Sequence, residues 1–437
     1  MKKLKESAPN FTALIPLLVF VITFLGIGIY KDDFYLLPAP IAVIVGIVVA
    51  FLIFKQSVND KIAILLKGCG DNKILTMCLI YLLAGAFAAI TKSTGSVDAI
   101  VNLGMDYIAI QYIYLGIFLI AAFLSISTGT SVGAIVTLAP IVVGFSGHGD
   151  ISLAVLCGAL LGGSMFGDNL SVISDTTIAA TQSLDCKMSD KFKENIKIAL
   201  PAALITLVIL TVQGLDLSSN VLNDVHYDYS VIKIVPYILV IILSVIGVNV
   251  FVTLFFGIIS AIVLGVFDGD FTVMESTRIA YTGFTNMTEI FLLSLLTGGL
   301  AALVERNGGI DYILNKIKIL IKSKRSAQFG IAALVSTINM AIANNTVSII
   351  ISGSIAKTIN DEYGLTNRKT ASILDIFACV IQGILPYGAQ VLMILSFSEG
   401  QIDYIDLIQN TWYLLILFVT TILLISFEPL FVKKVKK

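Results

Sequence analysis

Ten apolar stretches decide what this chain can fold into. They lie near residues 11–30, 37–54, 74–91, 151–183, 195–214, 232–248, 249–267, 288–304, 370–397 and 408–431, and each is long enough to cross a hydrocarbon layer as a helix. Lipid offers the backbone no hydrogen bonds, so spans of this kind must be helical. Composition agrees: 57% of the 437 residues are hydrophobic and 13% are charged, where soluble domains carry about 25% charged residues. The expectation is an all-α polytopic membrane protein with the lipid bilayer as its surroundings. The first run is read as a span, with no cleavable leader before it. A net charge of −1 argues against a nucleic-acid partner.

Two further apolar stretches, 111–145 and 327–359, are broken at their centres by Ser127–Ser131 (STGTS) and by Asn344–Thr346 (NNT). Their arms of 14–16 residues are short for a crossing at about 1.5 Å per residue. Lysine and arginine collect on the cytoplasmic side of a membrane. If both broken stretches turn back as re-entrant hairpins, 24 of the 28 basic residues share one face, Lys191 among them. Only Lys31, Lys92, Lys233 and Arg278 then lie opposite. If both stretches cross, the split falls to 16 against 12. The hairpin arrangement gives ten spans, with both termini in the cytoplasm of a bacterial-type inner membrane.

Each half then has five crossings, and an odd number inverts the second half. The expected organisation is a first repeat over 1–215, an external linker over 216–230 that lacks lysine and arginine, and a second repeat over 231–437. Residues 81–101 align without gaps on 294–314, with eight of 21 positions identical, including Gly85/Gly298, Gly95/Gly308 and Asp98/Asp311. Inverted repeats whose broken helices meet at the midplane are a transporter architecture.

The polar residues collect at the breaks. Phe166–Thr177 reads FGDNLSVISDTT and holds Asp168 and Asp175 inside an apolar run. A carboxylate at membrane depth is costly and tends to face a pathway. Breaks are expected at 127–131, 167–169, 344–346 and 386–388. Freed carbonyls and hydroxyls there suit Na⁺, and freed helix N-termini suit an anionic group. Candidate ligands for a cation or proton are Asp168, Asp175, Asn169, Ser171, Thr128, Thr130, Ser131 and Thr176, with Na⁺ itself at Asp168, Asn169, Thr128 and Thr130. A buried carboxyl resists ionisation and a bound cation favours it, so such a group can trade H⁺ for Na⁺. The plain alternative is that one aspartate only caps a helix.

The second half offers Asn344, Asn345, Thr346, Pro386, Tyr387, Gln390 and Asp375 as a solute site or opposite wall. Asp375 either faces the pathway or pairs with a lysine near the interface. Asn249 and Asn339 read as amides that hold helices together, and Gly158, Gly162 and Gly163 as close-packing positions. Five cysteines show no ligand spacing, and His148 and His226 lie far apart in loops. No phosphate loop or Ser-His arrangement is present, so neither an ATP motor nor a protease is expected.

At these residues the chain resembles the NhaC-type Na⁺/H⁺ antiporters of the ion transporter superfamily. It has Thr128-Gly129-Thr130-Ser131, then Phe166-Gly167-Asp168 with Ser171, then Ser174-Asp175-Thr176-Thr177, and late in the chain Pro386-Tyr387-Gly388. Val172 stands where the family pattern has proline, and Tyr387 where relatives have tryptophan. Asn344-Asn345-Thr346 is more similar to the hairpin tips of Na⁺-coupled carboxylate transporters of the same superfamily. The resemblance implies a secondary transporter without cofactors, moving Na⁺ and H⁺. It leaves open coupled transport of an amino acid or small organic acid, including malate/lactate-like exchange. A homodimer is compatible with this reading. An intramembrane aspartyl enzyme is disfavoured, because its two carboxylates come from facing elements, and a passive channel because no pore segment repeats.

Overall fold

The computed structural model describes residues 9–31, 36–146, 150–171, 174–215, 217 and 229–431. His148, His226, Val172, most of the linker and the basic tail lie outside them. Among the described residues there are helices and no strands. Eight stretches are long and apolar enough to cross a membrane, and Ala39–Ile53, Val231–Val245 and Trp412–Phe427 are shorter apolar helices.

The first half contains α1 (Ile15–Lys31), α2 (Ala39–Ile53), α3 (Val58–Cys69), α4 (Asn72–Ser93), α5 (Ser96–Tyr107), α6 (Ile113–Thr128), α7 (Ser131–Gly144), α8 (Leu153–Leu170), α9 (Asp175–Ser183) and α10 (Met188–Leu215). The second contains α11 (Val231–Val245), α12 (Val250–Asp268), α13 (Val273–Asn286), α14 (Thr288–Arg306), α15 (Gly309–Leu320), α16 (Lys324–Ile342), α17 (Asn345–Tyr363), α18 (Asn367–Ile384), α19 (Ala389–Phe397), α20 (Tyr404–Gln409) and α21 (Trp412–Phe431).

Glycines set how closely these helices cross. Gly85 of α4 lies against Gly283 of α13, where a Cβ on either would overlap the other's carbonyl. A Cβ on Gly68 of α3 would overlap the carbonyl of Gly298 on α14, so each half lends an amphipathic helix to the other. On α8, Gly163 and Gly167 press against the α6 backbone, and Gly158 against the carbonyl of Asn410. Small residues that let backbones approach are how helices pack where lipid removes the hydrophobic drive.

Both broken stretches double back. Gly129 (φ 69°) and Ala343 (φ 53°) take the left-handed conformation after the first helix of each pair, and the chain reverses there. Tyr363, ending α17, donates its hydroxyl to the carbonyl of Ile321 just before α16, at 3.1 Å. The start of α8 returns to the start of α6, where Ser152 N–H donates to Tyr114 Oη at 2.8 Å. The arm lengths need correction. The second pair runs 19 residues in each arm, beyond the expected 327–359. Ile110–Thr128, at 19 residues, also meets the length and composition of a span. Sequence reading shortened these arms by stopping at polar residues that helix capping carries further out, such as Ser323 at the start of α16.

Candidate functional site

The α8 helix does not stop at Gly167–Asn169. It continues to Leu170, and the next helix starts at Asp175. Gly167 is there for contact with Ala122 and Ser125 rather than to end a helix. The α8 end is held by side chains: Asn195 Nδ2 donates to Asn169 O at 2.8 Å and Lys191 Nζ at 3.2 Å. Ser174 caps α9 by accepting from Thr177 N–H at 3.1 Å.

This shift separates the two aspartates. Asp168 sits in the last turn of α8 and is 4% exposed. Its Oδ2 accepts from Ser131 Oγ at 2.8 Å and its Oδ1 from Thr176 Oγ1 at 3.4 Å. Gln390 Nε2, in the first turn of α19, donates to Ser131 Oγ at 3.0 Å. One carboxylate therefore ties together the first hairpin tip, both sides of the first break, and the second half. Asp175, expected to be buried as well, is exposed in the first turn of α9. There it favours the helix dipole at no burial cost.

Asp168 walls a cavity of about 300 Å³. Thr130, Ser131, Thr176 and Asp175 line it from the first half, and Asn344, Asn345, Thr346, Gln382 and Gln390 from the second, with Lys73 at one side. Two helices, α7 and α17, begin at this cavity from opposite hairpins. A second cavity of about 390 Å³ shares Lys73, Asp175 and Thr346 with it and follows α9 to Gln182 and Ser183.

Several expected site residues are turned elsewhere. Asn169 is buried, with its amide donating to Tyr413 Oη at 3.1 Å. Ser171 Oγ donates to Ile126 O at 3.0 Å and fastens the break to the hairpin tip. Thr128 Oγ1 braces its own turn by donating to Thr130 O at 3.2 Å. Pro386 lies in the break between α18 and α19 and does not line the cavity. Tyr387 does not line it either: its ring packs edge-on against Phe20 and its hydroxyl donates to Met340 O at 2.7 Å. For Ser171, Thr128 and Tyr387 a backbone carbonyl at a helix end or turn claimed the hydroxyl first. Asn339 joins α16 to α18 by donating to Ala378 O at 2.7 Å, while Asn249 is an exposed cap on α12.

Asp375 is fully buried and ion-paired to Lys191 at 2.7 Å, and Asn195 Nδ2 donates to the same carboxylate at 2.7 Å. Lys191, counted with the face-forming lysines in the charge argument, is 1% exposed and belongs to the interior. Sequence reading missed Lys191 and Asn195. Their signal was a lysine and an amide one helical turn apart at the start of α10, both able to face one neighbour.

A family model described as the Na⁺/H⁺ antiporter family matches residues 9–215 and 225–428. An uncharacterised Na⁺/H⁺ antiporter of Haemophilus influenzae is 24% identical over 417 residues, covering 85% of this chain and 86% of that protein. A malate-2H⁺/Na⁺-lactate antiporter of Bacillus subtilis is 25% identical over 429 residues, covering 89% and 90%. The NhaC Na⁺/H⁺ antiporter of Alkalihalophilus pseudofirmus is 21% identical over 363 residues, covering 76% and 78%. The family match runs through both hairpins, both broken helices and the Asp168 cavity, and this multi-pass, all-helical chain belongs to the Na⁺/H⁺ antiporter family.

Proposed function

We propose that this chain exchanges Na⁺ for H⁺ across a bacterial-type inner membrane by seating the two alternately on Asp168. The observation that carries this reading is a buried carboxylate at a cavity wall, held by two hydroxyls rather than by a basic side chain. Hydroxyls, carbonyls and a carboxylate are the oxygen ligands that suit Na⁺ at a helix break. Support for an inverted repeat comes from the reciprocal crossings of α4 on α13 and α14 on α3 at glycines, and from the cavity shared by the two hairpins. The second cavity runs toward Ser183, beside the lysine-bearing loop that the charge count assigns to the cytoplasm, so the site is read as open inward.

The test is Na⁺ binding to the purified protein across the acidic to neutral range. Protonation removes the charged ligand, so Na⁺ affinity should fall as pH falls. Below the site's midpoint the fall should approach about tenfold per pH unit, the ~1.4 kcal/mol of one proton. A pH-independent affinity sinks the shared-site mechanism.

One observation favours a second reading. The cavity is larger than a bare ion requires, and its second-half wall carries Asn344, Asn345, Gln382 and Gln390. Na⁺-coupled exchange of a small organic or amino acid would use that wall. Proteoliposomes decide: H⁺ movement driven by Na⁺ alone supports simple antiport, and flux only after adding a dicarboxylate or amino acid supports the second.

A further inference from the structure

We propose that Lys191 is a tethered cation built into the α8–α9 break, and that by occupying Asp375 it limits the buried core to one transported Na⁺. The proposal rests on the exchange reading above, in which Asp168 takes the transported ion. Lys191 meets three oxygens inside the protein: it is ion-paired to Asp375 Oδ2 at 2.7 Å and donates to Thr177 Oγ1 at 2.6 Å and to Asn169 O at 3.2 Å. A carboxylate, a hydroxyl and the freed carbonyl of a broken helix are the ligands a Na⁺ would take at such a break. Here the chain supplies the positive charge itself.

The surroundings hold more acceptors than donors. Asp375 Oδ1, Asn169 Oδ1 and Asn195 Oδ1 are buried and accept no hydrogen bond from the described residues. Removing the ammonium leaves Asp375 as an uncompensated buried charge, among oxygens placed to receive a mobile cation. The other half is already neutral at the matching place. Gln382 stands two residues before the end of α18, as Asp168 does before the end of α8, and each side chain reaches the adjacent hairpin tip. With Asp375 paired, Asp168 is the one buried carboxylate without an ion-pair partner among the described residues.

The experiment is Na⁺ binding stoichiometry, measured by calorimetry on the purified full chain in alkaline buffer. The wild type should bind one Na⁺ per chain. Lys191→Met keeps the side-chain volume without the charge and should bind two. The double variant Lys191→Met/Asp375→Asn should return to one. If Lys191→Met does not fold, Lys191→Gln, which keeps a donor for Asn169 O, takes its place with the same expectation. A folded Lys191 variant that binds a single Na⁺ overturns the proposal, as does a wild type that binds two. Asp168→Asn separates this proposal from the exchange reading. It should leave none in the wild type and one in Lys191→Met. An ion retained by Asp168→Asn, with a second gained in Lys191→Met, would move the transported ion away from Asp168 while upholding the tethered cation.

Discussion

Asp168 and Asp175 stand seven residues apart in one polar run, and the sequence does not say which of them titrates. Burial ranks them: Asp168 is enclosed by Ser131 and Thr176, and Asp175 faces the cavity mouth. Asp168→Asn should reduce Na⁺-driven H⁺ flux in proteoliposomes to the protein-free background, because an amide cannot alternate between H⁺ and Na⁺. Asp175→Asn should keep full maximal flux while weakening apparent Na⁺ affinity by about fivefold, the effect of ~1 kcal/mol of screened attraction at the rim. Background flux in both variants would return Asp175 to the site. The motif named a segment that lines the cavity; which of its oxygens face the cavity depended on where the break fell. Asn169 was lost to the Tyr413 hydroxyl and Ser171 to the Ile126 carbonyl, partners that only three-dimensional neighbours identify.

At the scale of elements, two devices position the site. The first is the pair of hairpin tips. Gly129 adopts its left-handed turn freely, but Ala343 adopts one with a Cβ, held by Gln382 Nε2 donating to Ala343 O at 3.1 Å. Ala343→Gly should therefore stabilise the folded protein by about 1 kcal/mol, read as a rise in thermal unfolding temperature in detergent. An unchanged or lowered midpoint would mean the tip carries no strain. The second device is the glycine crossing of α4 and α13. The Gly85 and Gly283 backbones are in contact, so Gly85→Val has nothing flexible to displace and should cost about 1–3 kcal/mol. The matched change at exposed Gly26, where a Cβ meets nothing within 4 Å, is the control and should cost far less. The sequence alignment of 81–101 on 294–314 singled out Gly85 and Gly298, but nothing in it named the partners Gly283 and Gly68.

For the whole molecule, the topology predicts opposite accessibility for two loops. A cysteine at Asp150, after the first hairpin, should react with an impermeant thiol reagent only from outside, and one at Gln182, beside the second cavity, only from the cytoplasm. Labelling of both from one side would overturn the hairpin arrangement. The sequence by itself determined the class, the apolar spans and the polar interruptions of the two broken stretches. Those follow from local chemistry: lipid forces helices, polar tips interrupt them, and lysines sort by side. It also carried the family, because the Gly-Asp and Ser-Asp-Thr-Thr runs are contiguous. The tertiary structure alone decided which polar groups serve the cavity and which serve the backbone. It alone paired Lys191 with Asp375, and brought Gln390 onto Ser131 across 259 residues. Inside a membrane each polar atom takes the nearest unsatisfied partner, and nearness across two interlocked halves is not written in any local window.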